Sequence, residues 1–98
     1  MTALTSTSAE LAEDIAAAVL ACPDVASLTA GPHGRVMTYR VGAPFSGVAV
    51  HADRIEIGVV ARLARPLPDT AEDVRRLARP LAGDLPIDVL IADVEEDR

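Results

Sequence analysis

Residues 55–62 read IEIGVVAR, and this stretch decides the fold. Its odd positions are all aliphatic, while its even positions alternate charged, small and apolar residues. Strict alternation of this kind predicts a β-strand that is covered mainly on one face. It is the clearest strand in the chain, and the neighbouring segments are interpreted around it.

A helix is expected directly after this strand. Pro66 and Pro68 end the strand, and Asp69 or Thr70 is predicted to cap the helix. Apolar residues then recur at helical spacing; they are Val74, Leu77, Ala78 and Leu81. Pro80 is expected to bend the helix or end it early, with Gly83 just past its end.

Residues 87–93 form the predicted last strand, which completes a strand–helix–strand unit with residues 55–61. If these two strands are parallel, their crossover is expected to be right-handed. The sheet is then mixed, because the remaining predicted strands follow one another through short turns.

The first half of the chain is predicted to hold one helix and three strands. Thr7 and Glu10 have the spacing of a capping box, and Pro23 is expected to end the helix that begins there. Residues 25–30 and 35–41 alternate as short strands, and the segment at 42–47 is predicted to be a loop. After a short strand at residues 48–50, residues 51–54 have the composition of a hairpin turn.

Two amphipathic helices and four or five strands, in the order α-β-β-β-β-α-β, predict an α/β (α+β) fold. We expect a two-layer sandwich, with both helices on one face of a mixed four- or five-stranded sheet and the other face partly uncovered. The single domain is expected to span residues 8–94, after a flexible tail at 1–7 and before an acidic end at 95–98.

Composition narrows the classes of function. Fifteen acidic residues against nine arginines give a net charge of −6, which argues against nucleic acid as a ligand. Cys22 is the only cysteine, so an intramolecular disulfide is impossible and a reducing, cytoplasmic setting is expected. No apolar run reaches the ~20 residues that span a bilayer, so direct membrane insertion is not expected.

The residue types that carry chemistry are sparse and poorly spaced. Cys22, His33 and His51 lack the paired spacing of metal ligands, and Cys22 lies on an apolar helical stripe where a thiol is usually inert. Ser46 lacks the strand–turn–helix setting of a nucleophile. The sequence at 31–34, GPHG, has the GxxG pattern of a nucleic-acid-binding loop. That loop should join two helices, whereas this segment joins two predicted strands, so we interpret it as a tight turn. We therefore predict no catalytic residues, no metal site, no cofactor and no enzyme activity.

The charge distribution is more informative than any motif. Basic residues gather around the second predicted helix, and acidic residues crowd the C-terminal end. The candidate protein-interaction residues are Arg62, Arg65, Arg75, Arg76 and Arg79. An ordinary solvated surface is the alternative; the functional interpretation is salt-dependent contact with a partner protein or a neighbouring copy.

Several stretches together resemble the bacterial alkaline-shock and general-stress family of envelope stress response proteins. They are IAAAV at 15–19, PDV at 23–25, GVAV at 47–50, IEIGVVA at 55–61, the helix ending at Leu81, and LPIDV at 85–89. The resemblance implies a non-enzymatic protein on the cytoplasmic side of the membrane. It also implies recruitment by a small membrane-anchored protein and a tendency to form homo-oligomers.

Two hypotheses on function follow. The first is a protein-binding adaptor or scaffold that uses the uncovered sheet face and the arginine-bearing helix. The second is a small-ligand-binding protein or accessory enzyme subunit that uses the loop at 42–47 together with His51.

Overall fold

The computed structural model of the chain describes residues 8–38 and 45–96. In chain order its elements are α1 (Ser8–Leu20), β1 (Val25–Leu28), β2 (Met37–Thr38), β3 (Phe45–Ser46), β4 (Val48–Val50), β5 (Ile55–Arg62), α2 (Leu67–Ala82) and β6 (Ile87–Glu95). The predicted α+β class is confirmed. The expected capping residue Thr7 lies outside the described residues.

Strand β5 is the centre of a four-stranded mixed sheet. On one side it pairs in parallel with β6 along its whole length. On the other side its first half pairs antiparallel with β4 and its second half pairs antiparallel with β1. The predicted strand–helix–strand unit and the mixed sheet are therefore both confirmed, and the two strands of the unit are parallel.

Both helices pack on the face of β5 that carries its aliphatic side chains. Ile55, Ile57 and Val59 are fully buried there, in one cluster with Ile15, Val19 and Val74 of the helices. Burial of each such side chain contributes about 1.5–3 kcal/mol before conformational entropy is counted. Where the helices meet, small residues let them approach closely; they include Ala12, Ala16, Ala78 and Ala82.

The opposite face of the sheet, which we call the open face, carries Glu56 and Gly58 of β5 and Leu90 of β6. The chain after β1 crosses this face at Gly58, where a Cβ added to the glycine would lie only 2.3 Å from the Thr29 carbonyl oxygen. The Thr29 amide also donates to the Gly58 carbonyl at 2.9 Å. Glycine is therefore required here by close approach of the backbone, and the open face is covered near β1 and exposed over β6.

Helix α2 begins two residues earlier than the proposed cap at Asp69 and ends later than Pro80 suggested. Pro66 is its N-cap, without a side-chain hydrogen bond, and Pro68 lies in its first turn, where a missing N–H costs nothing. Thr70 is fully buried rather than capping. The helix continues past Pro80 to Ala82, although Pro80 has no amide to donate to the carbonyl one turn earlier; Gly83 follows the end, as predicted.

The middle of the chain differs from the prediction in strand length. The strand expected at 35–41 is reduced to Met37–Thr38 within the described residues, and the expected loop at 42–47 contains strand β3, which pairs with β2. Residues 39–44 lie outside the described part of the chain. The Thr38 hydroxyl donates to the Val48 carbonyl at 2.8 Å and so fixes β2 beside β4. The hairpin turn at 51–54 is confirmed, with the His51 amide donating to the Arg54 carbonyl.

Candidate functional site

The five candidate arginines fall into two groups, and every one of them already has an acceptor within the chain. Arg62 donates from Nε to the Pro23 carbonyl at 3.1 Å. Nε of Arg65 lies 2.8 Å from Oδ2 of Asp24. These two therefore hold the segment between α1 and β1. The other three project from α2 and line a shallow depression of about 350 Å³ with Glu72; they are Arg75, Arg76 and Arg79.

Arg65 and Arg76 meet at Asp73, which the sequence pattern does not single out. Arg76 is 2.6 Å from one carboxylate oxygen of Asp73, and Arg65 contacts the other. The Arg76 hydrogen bond, followed by that of Arg65, lowers the pKa of the Asp73 carboxyl. The network Asp24–Arg65–Asp73–Arg76 thus joins the start of β1 to α2 through alternating charges.

The buried thiol of Cys22 lies beside this ion-pair network. Its sulfur lies within 4.8 Å of oxygens of Asp24 and Asp73, so the three offer ligand atoms to a cation. Arg65 contacts both carboxylates, however, and Arg76 contacts Asp73, so two guanidinium groups already balance the two negative charges. Neither His33 nor His51 belongs to this group of ligand atoms in the described part of the chain.

We expect the Asp73 contacts to make stability depend on pH. A carboxyl whose pKa is lowered by folding stabilises the native state above its unfolded value of about 3.9, and this contribution disappears as pH falls through the folded pKa. Asp73→Asn should therefore be less stable than the native chain at neutral pH, with the difference closing as the solution approaches about pH 2. Chemical unfolding across pH tests this, with the exposed Asp53→Asn as the matched control. A difference that persists at the acidic end would contradict the assignment.

Strand β6 forms an edge of the sheet. Among residues 8–38 and 45–96, its only strand partner is β5. The Ile55 amide donates to the Pro86 carbonyl at 2.9 Å, which fixes the phase of the parallel ladder. Asp88 and Leu90 consequently direct their backbone groups toward β5, whereas Ile87, Val89 and Ile91 direct theirs outward.

Both ends of this outward edge are closed by side chains. At the first end Arg75 donates from Nε to the outward carbonyl of Ile87 at 3.1 Å. Ala92 is an extra residue in the ladder with β5, so the alternation of inward and outward groups reverses beyond it. At the far end the amide of Val94 is therefore directed outward, and it donates to the side chain of its neighbour Asp93 at 2.8 Å. Between these closures lie the amides and carbonyls of Val89 and Ile91, which we call the β6 window.

Aliphatic side chains flank the β6 window on both faces of the sheet. Leu90 is 43% exposed on the open face. Val89 and Ile91 are half-buried on the helix side, where they pack against the core cluster. A strand added at this window would therefore gain backbone hydrogen bonds together with apolar contact.

A depression of about 230 Å³ lies on the open face between Leu90 and the turn after β1. Its lining residues are Ala30, Gly31, Pro32, His33, Arg35, Val36, Glu56 and Leu90. Glu56 is 2.7 Å from Nε2 of His51. The segment at 31–34 is a turn between β1 and β2, as predicted, with the Gly34 amide donating to the Gly31 carbonyl.

The sequence predicted β6 as a strand but did not identify its free edge. Alternation reports which face of a strand is buried, whereas the order of strands in the sheet depends on pairing between distant segments. The closure by Arg75 likewise arises only when the sheet and α2 are assembled. Ser46 lies in β3 rather than at a strand–helix turn.

Within the ranges that the structure describes, no helix combines the length and the apolar character needed to cross a membrane. Comparison with known proteins finds no matching family, no matching curated protein and no matching solved structure.

Proposed function

We propose that this chain is a non-enzymatic protein-binding adaptor or scaffold that docks partners on the outer edge of β6. The observation that supports this most is the β6 window, where outward backbone groups lie between two aliphatic surfaces. Exposed edges that escape protection are the usual sites of strand addition. The resemblance to envelope stress response proteins, with its cytoplasmic location and recruitment by a membrane-anchored protein, belongs to the same proposal.

Arg75 and Arg79 give the docking edge a charged flank. Arg75 contacts both Ile87 of β6 and Glu72 of α2, and Arg79 donates to the Gly83 and Leu85 carbonyls just before β6. These contacts hold the guanidinium groups beside the first end of the edge. A partner that pairs with β6 and carries acidic residues there would bind in a salt-dependent way.

Leu90→Arg tests this proposal because it places a charge beside the β6 window. Affinity purification from the host cell at matched expression should recover fewer partner proteins with this variant than with the native chain. Leu63→Arg is the matched control, since Leu63 is 56% exposed but lies outside β6. We expect the control to retain the native set of partners. Identical sets for Leu90→Arg and the native chain would overturn β6 as the docking edge.

The depression on the open face favours a second candidate function, the binding of a small ligand by an accessory subunit. Its lining is mainly apolar, and Glu56 beside His51 would supply a polar contact at its rim. The loop expected at 42–47, which this function would also use, falls largely outside the described residues. A metabolite retained in native mass spectrometry and lost from His51→Ala would favour this function. Absence of any retained mass from the native chain would count against it.

A further inference from the structure

We propose that the segment which docks on the β6 window is a short extended strand that is basic on its open-face side. On that side it carries one aliphatic residue beside Leu90, with lysine or arginine before and after it. This inference rests on the proposed function, because it states the chemistry of the partner for the docking edge. It follows from three features of the described residues: the register of β6, the charges around Leu90, and the few free backbone groups of the window.

The register of β6 places two aspartates on the same face as Leu90. Asp88 lies two residues before Leu90 in an alternating strand, so both side chains are on the open face. The extra residue Ala92 reverses the alternation, so Asp93 pairs with Val60, an open-face position of β5, and returns to the open face. Both aspartates are exposed. An added strand therefore meets a carboxylate, an aliphatic side chain and a second carboxylate along this face.

The negative charge of these two aspartates is only partly balanced within the chain. Nε of Arg54 lies 3.8 Å from the Asp88 carboxylate. The same guanidinium also contacts Glu56 at 3.7 Å and Asp53 at 3.2 Å, so one positive charge serves three carboxylates. Asp93 accepts a hydrogen bond from a backbone amide and makes no ion pair among residues 8–38 and 45–96. Cations carried by a partner would therefore be attracted to both aspartates.

The backbone of the window limits the docking segment to a few residues. The outward groups on either side of the window are already bonded, one to Arg75 and the other to Asp93. A strand of about five residues covers what is left, with its central side chain beside Leu90 and the side chains two positions away on the same face. Those two positions lie next to Asp88 and Asp93, where lysine and arginine side chains are long enough to reach the carboxylates.

The other side of such a strand faces α2, where the charge is reversed. Arg75 and Arg79 donate to the carbonyls of Ile87 and Leu85, which holds both guanidinium groups beside the first end of the edge. The docking segment therefore gains from an acidic residue on the α2 side at this end and from basic residues on the open face. This difference between the two sides fixes which side of the added strand faces α2.

The same charges disfavour a second copy of the chain as the occupant. In an antiparallel pair of two β6 strands about Leu90, Asp93 of one copy would lie beside Asp88 of the other on the open face. Like charges in such cross-strand positions are destabilising. A basic segment of a different protein avoids this repulsion and replaces it with attraction.

Two peptides with blocked termini test this chemistry without altering the protein. The first, TKVLVKT, has leucine at its centre and lysine two positions before and after it; the second, TEVLVET, has glutamate at those two positions instead. We expect the lysine peptide to shift the Val89 and Ile91 amide resonances of nitrogen-15-labelled protein. Its dissociation constant should be about tenfold or more below that of the glutamate peptide, with a smaller difference at high salt. Equal binding of the two peptides, or tighter binding of the glutamate peptide, overturns the proposal.

Asp93→Asn separates the docking site from the overall charge of the chain, which at −6 attracts any basic peptide. Asparagine keeps a side-chain oxygen for the Val94 amide and removes only the charge. We expect it to raise the dissociation constant of the lysine peptide about two- to fivefold. Asp14→Asn, at an exposed position of α1, changes the net charge equally and should leave that constant unchanged. Equal effects of the two variants would overturn the placement beside Asp93.

The remaining outcomes distinguish this inference from the proposed function. Val89 and Ile91 resonances that move with protein concentration alone would identify a second copy as the occupant and overturn a basic partner. A lysine peptide that does not bind, together with a Leu90→Arg variant that loses partner proteins, overturns the basic chemistry and keeps β6 as the docking edge. A lysine peptide bound at the window, with partner proteins unchanged by Leu90→Arg, overturns the adaptor function and keeps the window as a site for basic strands.

Discussion

Gly58→Ala is expected to lower the free energy of unfolding by about 3 kcal/mol, at the upper end of what overpacking usually costs. The added methyl group would lie 2.3 Å from the Thr29 carbonyl oxygen and 3.6 Å from the Val36 side chain. Thr29 cannot retreat easily, because its amide donates to the Gly58 carbonyl. The segment after β1 would have to lift from the open face.

Urea unfolding followed by far-ultraviolet circular dichroism measures this loss, since the chain has no tryptophan and one tyrosine. Gly34→Ala is the matched control. Gly34 has φ +65° but nothing within 4 Å of an added Cβ, so it reports the cost of backbone conformation without a steric clash. We expect that cost to be about 1 kcal/mol. A Gly58→Ala loss no larger than that of the control would contradict the close approach.

Thr70→Val is expected to stabilise the protein by about 1–2 kcal/mol. Thr70 is fully buried on α2, and among the described residues its hydroxyl oxygen has no hydrogen-bond partner. Burial of such a hydroxyl carries a desolvation cost that no interaction offsets. Valine has nearly the same shape and removes that cost.

Thr70→Ser is the opposite substitution at the same site. It keeps the hydroxyl and removes the methyl group, so we expect it to lower stability by about 1 kcal/mol. Melting temperatures should therefore rank valine above threonine above serine, with about 4–8 °C for each kcal/mol in a domain of this size. A valine variant that melts below the native chain would mean that the hydroxyl has a partner in solution.

The parts of the fold that the sequence predicts best are those with a long hydrophobic period. The eight-residue alternation of β5 and the apolar spacing of α2 define one buried side each, and both elements form. The expected α2 stripe is wrong at Leu81, which is exposed, while Thr70 and Ala82 are buried on this helix instead. The short strands β2 and β3 contain only two residues each, too few for a period to show. Their position depends instead on Thr38 bonding to β4, a contact between residues ten apart in sequence.

The candidate site could be predicted only in part. Charge clustering groups the arginines of α2 as candidates, but it does not show that Arg75 closes the edge of β6. That contact joins a helix to a strand twelve residues later. The sequence likewise did not predict the role of Asp73, because Asp73 joins Arg65 and Arg76 only in the folded chain. Composition reports which charges exist, whereas their pairing is a property of the assembled fold.

The closed ends of β6 also bear on aggregation. An unprotected strand nine residues long, rich in isoleucine, leucine and valine, is the kind of segment on which cross-β fibrils grow. Here a guanidinium at one end and a carboxylate at the other limit the exposed backbone to the middle of the strand. Such a strand can pair with one short added strand. It leaves too few free backbone amides and carbonyls for a fibril to grow on it in register.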